Sequence, residues 1–125
     1  MDPKEPRIRT HFLAPGHQGR PAGAQSSGQA ENRVCGDVVQ LFLEIDDQRL
    51  VRLGFEAQGC SAVRATASLV CEELEGGLIA SAEALDVAEL VRTAGGLPPT
   101  KSHAPRVVQR ALAGALADHH SRCHP

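Results

Sequence analysis

The 125-residue chain is predicted to be one α+β domain, with a small antiparallel sheet of about three strands packed against helices on one side. Three observations predict it. Val39, Leu41, Leu43 and Ile45 alternate with Gln40, Phe42 and Glu44, the period of a strand. Leu50 to Phe55 returns after Asp46-Asp47-Gln48, whose turn chemistry makes the pair an antiparallel hairpin. Three later segments carry apolar residues at helical spacing.

Taken in order, residues 1–31 read as a mobile N-terminal arm, with a short anchoring turn at Ile8 to Phe12. Gly, Ala, Gln, Ser and Pro dominate 14–31, and Ala14-Pro15-Gly16 and Gly19-Arg20-Pro21 punctuate it. The ordered domain is predicted to span 32–118, starting near Asn32. In the returning strand, Arg49, Val51, Leu53 and Phe55 share one face, and Leu50, Arg52 and Gly54 the other. Ser61 to Leu74 is a helix whose apolar stripe is Val63, Ala67, Val70, Cys71 and Leu74. Arg64, Ser68, Glu72 and Glu75 fall off the stripe and face water, and Gly76-Gly77 stops the helix. A second helix spans Ala82 to Thr93, with Ala84, Val87, Ala88 and Val91 inward, and ends at Gly95-Gly96. Leu97-Pro98-Pro99 is no helix interior. The third helix begins at about Pro105, a residue suited to a first turn, and buries Val108, Ala111, Leu112, Ala115 and Leu116. Residues 119–125 form a frayed tail.

Composition excludes several functions. Lys and Arg number 13 against 15 Asp and Glu, a net charge of −2 without the basic face a nucleic-acid binder needs. The aromatic residues are Phe12, Phe42 and Phe55, too few to build a stacking platform for single strands. No apolar run approaches the roughly 18 residues of a membrane span, and Met1 to Thr10 is charged and unlike a secretory signal. The expected location is the cytoplasm, where Cys35, Cys60, Cys71 and Cys123 stay reduced and serve packing, metal binding or sulfur chemistry.

Three short motifs carry chemistry. In Cys35-Gly36-Asp37, a thiol and a carboxylate two residues apart project from one face of an extended chain, as two ligands for zinc or iron would. In Gly59-Cys60-Ser61 the thiol precedes a helix, where free N–H groups and the dipole favour negative charge. His103 follows a Pro-rich loop and also precedes a helix. Each alone has a structural reading: a Cys beside a turn, a small cap residue, a solvated loop His. Convergence of the three would make a metal site. Cys71, eleven residues after Cys60, lies ~16 Å further along its helix and is assigned to the core. The tract from His119 to His124 has a metal-binding composition, but its terminal position favours fraying.

These residues resemble the U-type iron–sulfur cluster assembly scaffolds, the IscU/NifU-like N-terminal domain family. The family's first cysteine stands in Cys-Gly-Asp leading into a strand, here Cys35-Gly36-Asp37-Val38. The second stands in Phe-x-x-x-Gly-Cys before a Ser/Ala-rich helix, here Phe55 to Cys60 and then Ser61 to Ser68. A Leu-Pro-Pro-x-Lys segment and a His follow, here Leu97-Pro98-Pro99-Thr100-Lys101 and Ser102-His103. His11-Phe12-x-x-Pro15 is similar to the family's early His-aromatic-x-x-Pro stretch.

The resemblance implies an IscU/NifU-like fold and a protein that is not an enzyme. It implies a scaffold or carrier for a transient iron–sulfur cluster, of the two-iron, two-sulfide type, or for iron. Cys35, Asp37, Cys60 and His103 would be the ligands, and zinc is a possible occupant of the same four. The implied partners are a cysteine desulfurase, acceptor apo-proteins and an Hsp70-type chaperone, with Leu97, Pro98, Pro99 and Lys101 as a partner-binding segment. Two positions depart from the family: its third cysteine, the usual sulfur acceptor and a cluster ligand, falls on Ala104, and its chaperone segment typically has Val at the position of Thr100. Cys123 lies some 18 residues past Pro105, ~27 Å away if the stretch is helical, and would need a fold-back or a partner subunit to replace it. A zinc-bound persulfide relay using Cys35 or Cys60, and a degenerate desulfurase-binding module without a cluster, are the alternatives.

Overall fold

The computed structural model describes residues 6–123. Its sheet has three antiparallel strands in the order β1-β2-β3: Ser26–Asn32, Asp37–Asp46 and Arg49–Gln58. The helices are α1 (Arg7–Leu13), α2 (Ser61–Leu74), α3 (Ile79–Ala84), α4 (Val87–Thr93) and α5 (Ala104–Cys123), with a 3₁₀ turn at Pro99–Lys101. Val39, Leu41 and Leu43 alternate inward from β2 and are fully buried, and α2 and α5 pack against that side of the sheet. The α+β class, the hairpin and the helices on the sheet are as predicted. Among the described residues, no helix is long and apolar enough to cross a membrane.

The third strand lies where an arm was expected. Ser26–Asn32 has little intrinsic strand preference. What specifies it is pairing with β2, from Ser26 opposite Leu43 to Asn32 opposite Asp37, and its packing against α5. Secondary structure therefore begins at Arg7, ahead of the boundary expected near Asn32, and the expected anchoring turn is helix α1. Between α1 and β1, the Gly19 N–H donates to Phe55 O at 2.7 Å and the Phe55 N–H to His17 O at 2.9 Å, covering the free edge of β3. The chain then crosses the outer face of the sheet at Gly54, where a Cβ would lie 2.1 Å from Gly19 O. Arg20 stacks over the Phe42 ring at 5.3 Å, so Phe42 is buried although it points away from the core face.

Four further expectations are corrected. A bulge between Glu44 and Ile45 pairs Ile45 with Leu50 but Glu44 with Arg52, leaving Val51 over. Leu50 therefore joins Leu53 and Phe55 in the core while Val51 is 40% exposed, and the strict alternation expected for β3 breaks at that point. Ser68 does not face water: α1 covers it, and α2 is buried on more sides than its stripe implied. The second helix is two, α3 and α4, broken at Leu85, with the Asp86 carboxylate capping α4 by accepting the Glu89 N–H. Val87 and Val91 point inward as expected, together with Ala82 and Leu90, whereas Ala84 and Ala88 are exposed. Finally, α5 continues through His119 to Cys123, where a frayed tail was expected. Asp118 ties this last part to β1 by accepting the Ser27 N–H at 3.0 Å, and His120 meets Glu83 at 2.9 Å. His124, Pro125, residues 1–5 and the side chain of Cys123 lie outside what is described.

Candidate metal centre

Asp37 opens β2 and is 1% exposed. A carboxylate so buried needs partners, and it has two. Its Oδ1 accepts the Cys60 N–H at 2.8 Å, and its Oδ2 stands 2.9 Å from His103 Nε2. The first bond ties the start of β2 to the residue that caps α2, and the second reaches the residue before α5.

Cys60 is held there by its neighbours. Gly59 has φ +113°, a conformation open to glycine, and a Cβ on it would lie 2.1 Å from Asp37 Oδ1. Arg64, on the first turn of α2, reaches back with both guanidinium nitrogens: one donates to Gly59 O and the other to Ala57 O, each at 3.0 Å. The two carbonyls left unpaired where β3 gives way to α2 are thereby satisfied. The Cys60 Sγ makes no cap bond and lies 3.8 Å from His103 Nε2.

Cys35 comes from the turn joining β1 to β2. Gly36, with φ +74°, closes that turn by donating its N–H to Asn32 O at 2.8 Å, and the Cys35 thiol is exposed. One ligand atom each from Cys35, Asp37 and His103 lie within 4.8 Å of one another. Cys60 is outside that mutually close group and adjoins it through its sulfur, 3.8 Å from His103 Nε2, at the point where three connections of the fold come together. Two thiols, a carboxylate and an imidazole are a donor set suited to zinc or iron.

Other sequence candidates lie elsewhere. Cys71 is fully buried in α2, and burial pushes its thiol far above the ordinary range, which makes it inert packing. Ala104 is fully buried and offers no donor. Leu97 and Lys101 are half-buried beside exposed Pro98 and Pro99, on the segment that delivers His103. Arg64 was read as a solvent-facing residue, and its part in fixing Cys60 is a finding of the structure. Its only sequence signal is a cation one helical turn after a Gly-Cys junction.

The class so defined is a small α+β domain, a three-stranded antiparallel sheet with helices on one side, that gathers a thiol, a carboxylate and an imidazole at one end. Its architecture matches the crystal structure of a nitrogen-fixing NifU-like protein (N-terminal) from Brucella abortus, with TM-score 0.65 at 14% identity over 91% of this chain and 90% of that one. The chain belongs to the NifU-like N-terminal domain family, whose profile matches residues 4–124. It is 30% identical over 113 residues to an iron-sulfur cluster assembly scaffold protein IscU of Archaeoglobus fulgidus, covering 90% of this chain and 74% of that protein. It is 32% identical over 100 residues to the iron-sulfur cluster assembly scaffold protein IscU of Escherichia coli, covering 77% of this chain and 75% of that one.

Proposed function

We propose that this chain is an iron–sulfur cluster assembly scaffold, and that Cys35, Asp37, Cys60 and His103 hold its cargo. The observation that carries the reading is the approach of the Cys35, Asp37 and His103 ligand atoms to within 4.8 Å, with the Cys60 sulfur 3.8 Å from the same imidazole. The thiolates are the soft donors that iron–sulfur clusters select. Each thiol gives up its proton on ligation, and Asp37 exchanges its contact with His103 for a contact with iron. A carboxylate is a harder donor than a thiolate, so it suits a cargo that must leave for an acceptor apo-protein. Cys35 is the exposed thiol of the set, and the one that a cysteine desulfurase delivering sulfur would reach. The exposed prolines before His103 would offer an Hsp70-type chaperone its docking segment.

Anaerobic reconstitution with ferrous iron, sulfide and reductant tests the reading. A stoichiometric visible absorption band is expected, with iron and sulfide in equal amounts. Cys35→Ala and Cys60→Ala should each abolish it, while Cys71→Ala should leave it and lower stability, by about 1–3 kcal/mol for a buried truncation. Failure to assemble a cluster, with one tight zinc ion per chain that survives dialysis, would overturn cluster carriage in favour of a zinc-dependent sulfur relay.

A further inference from the structure

A cleft of about 370 Å³ opens beside the metal centre and shares His103 with it. Its charge is unlike that of the rest of the chain. Arg33, Arg106 and Arg110 line it against one carboxylate, Glu31, in a protein whose net charge is −2. Arg33 is engaged by Glu31 at 3.4 Å. Arg106 and Arg110 are exposed, one turn apart on α5, and among the described residues neither has a hydrogen-bond or ion-pair partner. Like charges at that spacing repel, so the helix carries an unfavourable pair that an anion would relieve. Val107 lines the cleft between them, and the volume suits a small molecule rather than a protein segment.

The position of His103 narrows the class of anion. A ligand whose carboxylates rest on Arg106 and Arg110 has its far end at His103, the residue the cleft shares with the centre, with Cys35 and Asp37 beyond it. The chain supplies two thiols there, and both oxygens of its carboxylate are already in hydrogen bonds. Sulfur is the donor that such a centre would accept most readily from outside.

We propose that this cleft is a subsite for a small carboxylate-bearing thiol, which Arg106 and Arg110 hold by its carboxylates while its sulfur ligates the metal across the His103 wall. The inference rests on the metal-centre reading above. In the step, the thiol S–H loses its proton to solvent and a metal–sulfur bond forms. Asp37 would leave the metal as a free carboxylate whose Oδ1 keeps the Cys60 N–H, while His103 stays a ligand, with no change of oxidation state.

Two titrations test it separately. S-Methylglutathione, which has the carboxylates but no free thiol, is titrated into metal-free protein and followed by amide chemical shifts around the cleft. Saturable binding is expected, weakened at least tenfold in the Arg106→Glu/Arg110→Glu double variant and less in Arg106→Gln/Arg110→Gln, with unchanged circular dichroism in both. Absence of binding, or equal binding by the variants, overturns the subsite. Reduced glutathione is then added to cobalt(II)-loaded protein, where the sulfur-to-cobalt charge-transfer band should rise. It should do so at a concentration at least tenfold lower than 2-mercaptoethanol requires, and S-methylglutathione should leave the band unchanged. A band indifferent to glutathione overturns the sulfur contact. Failure of cobalt to bind at all overturns the metal-centre reading and that contact with it, while the first titration still decides the anion subsite.

Discussion

At Gly59 the backbone before one site residue passes the carboxylate of another. An added methyl there would meet Asp37 Oδ1 at 2.1 Å and Asp37 Cα at 2.9 Å, on a backbone with φ +113°. Neither partner can retreat, since Asp37 is fixed by Cys60 and His103 and the Gly59 carbonyl is fixed by Arg64. Gly59→Ala should therefore cost about 1–3 kcal/mol, the usual range for a strained backbone, and weaken metal uptake more than its effect on stability alone would. Urea unfolding and a cobalt titration of the same sample check both, and an unchanged unfolding midpoint would refute the close-packing argument. Cys35, Asp37 and His103, which the structure brings together, could be picked out in the sequence because donor chemistry is a property of residue type, and each sits beside a turn glycine or a helix start. Arg64 was not legible as a positioning residue. Its partners are the Gly59 and Ala57 carbonyls, and backbone acceptors leave no mark in a sequence.

Among elements, β1 and α5 approach each other backbone to backbone through a glycine. A Cβ on Gly28 would lie 2.2 Å from Ala115 N and 2.3 Å from Ala111 O, both backbone atoms of a packed helix. A Cβ on Gly114, across the same contact, would meet Gly28 Cα at 3.4 Å, an ordinary van der Waals distance. The two glycines should therefore respond in opposite directions. Gly28→Ala should destabilise by about 1–3 kcal/mol by forcing the strand off the helix. Gly114→Ala sits in a helix interior and should stabilise by up to about 1 kcal/mol. Thermal unfolding of both variants checks the order, and equal midpoints would deny that the approach is one-sided. The same contact explains why β1 was not legible. Its sequence, SSGQAEN, shows no alternation of large apolar residues, because one side of it rests on helix backbone through a glycine. By contrast, α2 was read to its ends, since Cys60 and Gly76 bracket a strongly periodic segment. The bulge in β3 and the break at Leu85 were missed because each turns on a backbone irregularity of one or two residues.

Across the whole molecule, α2 links two polar assemblies. Its first end carries Cys60 beside the candidate metal centre, and its later turns hold α1 through His11. The His11 ring is 5% exposed, with Nδ1 2.6 Å from Ser68 Oγ and Nε2 2.7 Å from Glu72 Oε2. Ser68 Oγ also accepts the Gly16 N–H at 2.9 Å, and with the tautomer that places hydrogen on Nε2, Ser68 donates to Nδ1 and the Nε2–H goes to Glu72. That pattern requires a neutral ring. Burial sets the direction and lowers the His11 pKa below its ordinary 6.5, with Arg7 and His17 adding to the effect and Glu72 opposing it. A histidine held below its unfolded value contributes stability that is complete above pH 6.5 and is lost as the pH falls through its folded pKa. The loss should begin at α1, whose other ties include exposed ion pairs from Arg7 to Glu72 and Glu73, the Ile8 N–H bond to Ala94 O and the buried Ile8 side chain. Acidification from about pH 7.5 to 5 should therefore lower the unfolding temperature more steeply in the native protein than in His11→Gln, which cannot acquire the charge. Hydrogen exchange should locate the first opening in α1 and the Ser68 turn of α2, with the sheet still protected. Parallel pH profiles for the two proteins would show that His11 is a passive packing residue. A steeper native profile, with opening confined to α1, would make this helix a pH-sensitive latch on the element that also positions Cys60.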